Sequence, residues 1–92
     1  MLIRQIIKLH QNTGGHFFDE SAMRFFNSRL SSKTCGRHFV TSEKGPDNVR
    51  RYTVRAIDTD GKITDIGGFQ AYNNLRSAHI AMKEANDREA VS

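Results

Sequence analysis

The sequence has one cysteine, Cys35, and one proline, Pro46. A lone thiol rules out an internal disulfide and fits a reducing compartment better than secretion, so a cytoplasmic setting is expected. Scarce proline, no low-complexity tract, and 37% hydrophobic with 26% charged residues exclude collagen-like, disordered and membrane-spanning classes. Long apolar runs are missing too. Charges interrupt residues 1–9 and no small-residue cleavage site follows, so that segment reads as part of the fold and not as a signal peptide. With no repeat and no dividing linker, one domain over residues 1–92 is expected, residues 88–92 being frayed.

Catalytic and metal-binding patterns are equally scarce. His10, His16, His38, His79 and Cys35 show no paired short spacings; Cys35 and His38 alone have ligand-like separation, and two ligands do not make a site. Nothing around Cys35 marks a low-pKa thiolate. Asp58, Asp60 and Asp65 are explained by turn chemistry and by pairing with Arg55, while Gly14-Gly15 and Gly67-Gly68 lack the rest of a phosphate-cradling fingerprint. The chain therefore reads as a binding protein and not an enzyme, with no catalytic residue, metal, cofactor or small-molecule substrate expected.

Cationic charge is present, unevenly. Up to Arg55 there are ten Lys/Arg against four Asp/Glu, and from Ala56 four against six, so the two stretches carry +6 and −2 of the net +4. Such asymmetry steers a polyanion or complements a protein partner.

Residues 2–9 fit both a helical stripe and a strand, and the paired isoleucines favour the strand. Asp19 or Ser21 caps a short helix in which Ala22, Phe25, Phe26 and Arg29/Leu30 recur at three- and four-residue steps. Residues 31–36 read as a loop. Strands follow at residues 37–42, 50–58 and 62–69, the last two joined by a three-residue turn ending on Gly61, a register that pairs Ile57 with Ile63, Arg55 with Asp65 and Val54 with Ile66. Asn73 or Asn74 caps a second helix with Leu75, Ala78, Met82 and Ala85 on its buried stripe. The expected fold is α+β: an antiparallel sheet of three to four strands with two helices packed on one face.

Alternation along the hairpin puts Tyr52, Val54, Ala56 and Ile66 beneath the helices and Arg51, Thr53 and Arg55 on the opposite, wetter face. Arg50, Arg51 and Arg55, joined by Arg37 and Lys44, are the candidate contacts to nucleic acid or a protein partner, because guanidinium forks match phosphate geometry. The same arginines also suit edge protection on an exposed strand. Phe17, Phe18, Phe25 and Phe26 supply core; because neighbouring helix positions diverge by about 100°, one of each pair is left outside, and Phe18 and Phe26 are the candidate partner-binding aromatics.

The runs HFFDESAMRFFNSR (residues 16–29), FVTSE (39–43), RRYTVR (50–55) and GFQAY (68–72) together resemble small uncharacterised proteins of bacteriophages and mobile elements, over nearly everything after residue 15. The resemblance brings no functional residues with it. It implies a setting, the host bacterial cytoplasm, and a stoichiometric action on nucleic-acid machinery or defence proteins. The expected function is an accessory protein that binds nucleic acid or a host protein handling it. The alternative is an inhibitor of a host defence or takeover target, like an anti-CRISPR, with no nucleic-acid contact. Membrane association is not expected.

Overall fold

In the computed structural model, which describes residues 1–25 and 27–91, the opening segment is a helix, α1 (Ile3–Asn12), where a strand is expected. Of the isoleucine pair only Ile6 is wholly buried, against Phe39 and Ile57, with Ile3 and Leu9 beside it. These positions, three apart, form one helical stripe, and burying it outweighs the strand preference of β-branched residues. Gln5 Oε1 accepts the Leu2 N–H at 2.7 Å, which closes the helix start.

The second helix, α2 (Glu20–Phe25), stops earlier than its apolar spacing suggests. Asn27 adopts a left-handed φ of 50°, its N–H donates to Arg24 O, and Ser28 N–H donates to Met23 O at 2.7 Å. That is a Schellman stop with asparagine in the position glycine usually takes. The chain then enters β1 (Arg29–Cys35), polar and read from sequence as loop, because an edge strand buries little and a bulge between Leu30 and Thr34 breaks its alternation.

Strands β2 (His38–Lys44), β3 (Arg50–Ile57) and β4 (Ile63–Ile66) complete an antiparallel meander in the order β1-β2-β3-β4. The β3–β4 register is the expected one, Val54 with Ile66, Arg55 with Asp65 and Ile57 with Ile63, and Gly61 turns the chain at φ 79°. Past the short β4, Tyr52 pairs with Tyr72 through two backbone hydrogen bonds of 2.8 and 3.1 Å, an isolated bridge that continues the pairing on that side of β3 at one position. Helix α3 (Leu75–Val91) begins where Asn74 Oδ1 accepts the Ser77 N–H at 2.8 Å.

Two cores sandwich the sheet. Val40 and Val54 meet Ala78 and Met82 of α3 on one face; Phe39 and Ile57 meet Ile6 of α1 on the other, reinforced by Phe17 and Phe18. The expected placement of both helices on one face is thus corrected: the sheet is amphipathic on neither side, since Ile57, Ile63, Phe39 and Leu30 need cover as much as Val40 and Val54 do. No described helix is long and apolar enough to cross a membrane.

Candidate functional site

The cations anticipated from sequence do not converge. Arg55 is expected on an open face, but Phe17, the α2 residues Ala22 and Met23, and Phe69 gather around it, leaving the residue 9% exposed. Its Nε donates to Thr41 Oγ1 at 2.8 Å and its Nη2 to Glu43 Oε1 at 3.1 Å, while Phe17 stacks 4.7 Å from the guanidinium carbon. Glu43, 2% exposed, also accepts from the hydroxyls of Thr41 and Thr53. A polar network thus replaces the hydration both charges lose, as burial of an ion pair requires.

Arg50 and Arg51 point to opposite faces because they are strand neighbours. Arg51 pairs with Asp47 at 2.8 Å, and that hydrogen bond holds the Asp47 carboxyl below its ordinary pKa. Arg37 donates from Nε to Glu89 at 2.7 Å and from Nη1 to Ile57 O at 3.2 Å; the Glu89 hydrogen bond raises its pKa. Lys44 is half-buried at the end of β2, beside Pro46 and Phe69. Phe18, expected outside, packs its ring 6.0 Å from Phe39 and edge-on to Phe17 at 4.9 Å. Phe26 lies outside the described residues. Cys35 and His38 do face each other across the β1–β2 hairpin, yet no group of three potential ligands occurs among the described residues.

A different set of cations does converge, on the α3 side of the sheet between its edge strand and the helix. Arg29 lies on the same face as its partner Ser42, and beside them Arg50 donates through Nη1 to Ser42 Oγ at 2.7 Å. Arg29, Arg50, Tyr52 and Leu75 border one cleft of 180 Å³. Leu75 is also the wall of a second, of 380 Å³, lined by Lys33 and Cys35 from β1 and by Arg76, His79, Ile80 and Lys83 from α3. The two clefts adjoin at Leu75 and form a groove lined by five Lys/Arg side chains, with no Asp or Glu among its described lining residues. Lys83, which lines the groove, holds Asp87 at 2.9 Å through its Nζ.

His79 reports the field inside. Lys33 N–H donates to Ser31 Oγ at 3.3 Å, and Ser31 Oγ lies within hydrogen-bond distance of His79 Nε2, at 2.8 Å. Burial, and secondarily the Lys33 charge, lower the pKa of His79. Arg50 Nη2 is buried with no hydrogen-bond partner among the described residues, a donor left unspent at the groove wall.

Sequence reasoning found only Arg50 of these cations. Arg76 and Lys83, seven residues apart and so on one face of a 3.6-residue helix, were a readable signal. Arg29 and Lys33 were not, because their strand is an edge whose polar residues resemble a loop. A family model described as a family of unknown function (DUF7447) matches residues 2–83. No curated protein and no solved structure matches the chain.

Proposed function

We propose, for a chain that belongs to the DUF7447 family, a non-enzymatic role in binding nucleic acid, with the phosphate backbone lying along the groove between β1 and α3. The observation that carries this reading is the meeting of Arg29, Lys33, Arg50, Arg76 and Lys83 from three elements around one groove lined by no described carboxylate. Arginine forks and lysine ammonium groups on a concave track neutralise successive phosphates and release their counterions. The resemblance to bacteriophage proteins supplies the setting, stoichiometric action on nucleic acid in the host cytoplasm.

Fluorescence anisotropy with a labelled single-stranded oligonucleotide tests it. Five neutralised phosphates give a slope of log affinity against log salt near −3.5 on a single strand, at about −0.7 per phosphate. Arg29→Glu combined with Arg76→Glu removes most of the binding. Absence of any binding to single-stranded or duplex nucleic acid at low salt overturns the reading.

A second reading, a protein inhibitor of a host factor, is favoured by Phe25 and Phe69, which are 79% and 50% exposed, with Val49 exposed on the neighbouring turn. Affinity purification from a bacterial host tests it, with recovery of one stoichiometric partner, lost in Phe25→Ala, as the expected result. Recovery of no such partner argues against it.

A further inference from the structure

On the opposite face from the groove, Phe17, Met23, Phe69 and Arg55 line a cleft of 180 Å³ whose floor is the buried Arg55–Glu43 pair. We infer that this cleft is a binding pocket for an unpaired pyrimidine base, recognised through its carbonyl edge by Arg55; the choice of ligand class rests on the nucleic-acid reading above.

Three observations carry it. The Arg55 side chain is nine-tenths buried, with Nε committed to Thr41 and Nη2 to Glu43, whereas Nη1 makes no hydrogen bond among the described residues. The buried polar side-chain atoms without a hydrogen-bond partner among the described residues are His38 Nδ1 and Arg50 Nη2 and not Arg55 Nη1, which therefore keeps access to solvent and is open to an acceptor from an occupant. Because Glu43 already balances the charge, the matching acceptor is a neutral carbonyl and not a second anion. The walls are aromatic: the guanidinium carbon lies 4.7 Å from the Phe17 centroid and 5.7 Å from that of Phe69. The size suits a single ring: an engineered cavity of about 150 Å³ takes up benzene, so the 180 Å³ here seats one six-membered ring, and a fused purine extends beyond it into solvent. Uracil and thymine present carbonyl oxygens to which Nη1 can donate. Lys44 lies in the adjoining cleft that shares Phe69, placed for the phosphate of the same nucleotide.

Uridine, which carries no phosphate, tests the pocket apart from the groove. Titrated into the labelled full-length protein and followed by NMR, it shifts the Phe17, Met23 and Phe69 signals saturably, and adenosine does so far more weakly. Phe69→Ala, at a half-exposed position that leaves the fold intact, weakens uridine about 5- to 150-fold, the range of one lost base–aromatic stack. No uridine shift overturns the pocket. So does equal binding of adenosine or cyclohexanol, or shifts by N-acetylphenylalanine amide without shifts by uridine, which would assign the cleft to a protein side chain. Oligonucleotide binding measured on the same samples separates the cases: salt-dependent binding without a uridine shift rejects the pocket and retains the groove, and no oligonucleotide binding rejects the groove.

Discussion

Glu43 and Arg55 sit on neighbouring strands, and each is more stable there with its partner than alone. Breaking a buried pair strands a charge and costs about 3–5 kcal/mol, whereas replacing both partners by apolar residues of similar size is close to neutral. Glu43→Ala is therefore expected to lower stability by about that amount in urea unfolding, while Glu43→Leu with Arg55→Met recovers most of it. A double variant as unstable as the single would show that the network, and not the unpaired charge, holds this face. Residue-level reading of the sequence reached the pairing of Arg55 with Asp65 but not this burial. Alternation says which face a side chain takes; what covers that face is decided by segments some forty residues away.

His79 gives the residue scale its pH dependence. Its folded pKa lies below the ordinary 6.5 because burial and Lys33 disfavour the charged ring. The unfolded chain then binds the proton more readily, so the stability His79 contributes is complete above 6.5 and is lost as pH falls through its folded pKa. A polyanion in the groove favours the protonated ring, so its affinity moves the other way and rises on acidification. Thermal melts and anisotropy across this range, each compared with His79→Gln, check both trends; identical profiles for the variant and the parent would remove His79 from the account.

Helix α1 is held at its far end by the β3–β4 turn. A Cβ on Gly61 would overlap the Thr13 side chain and lie 3.1 Å from Leu9 O, and the position needs φ 79° as well. His10 adds to the same junction, with Nδ1 2.7 Å from Gly61 O and Nε2 accepting the Phe17 N–H at 3.1 Å. Gly61→Ala is therefore expected to cost more than the roughly 1 kcal/mol of an ordinary positive-φ glycine, and to loosen α1 and the Phe17 segment together in hydrogen exchange. Asn74→Ala, removing only a cap, costs about 1 kcal/mol and frays α3 alone. The contrast explains which elements were legible. The α3 cap, the buried Ala78, Met82 and Ala85 of its stripe, and the turn at Gly61 are local signals, although Leu75 at the head of that stripe stays exposed; α1 is not legible as a helix because its preference is set by a sheet face that only exists once β2 and β3 have paired.

At the scale of the whole molecule, the excess of positive charge up to Arg55 is a poor guide to where cations gather on the folded surface. Folding pairs Arg37, Arg51 and Arg55 with Glu89, Asp47 and Glu43, and brings Arg76, together with Lys83 and its partner Asp87, from the net-negative stretch to the same side of the sheet as Arg29 and Lys33. Placement and total charge can be separated experimentally. Arg76→Glu with Asp60→Lys leaves the net charge at +4 while moving a cation from the groove to the turn after β3, at the other edge of the sheet. Attraction governed by net charge would leave oligonucleotide affinity unchanged. Counterion release from a defined track predicts a loss of affinity and a salt slope shallower by about 0.7 on a single strand for the missing cation, and more if the new carboxylate repels a neighbouring phosphate. An unchanged slope in this double variant would mean that the groove is not where the strand lies.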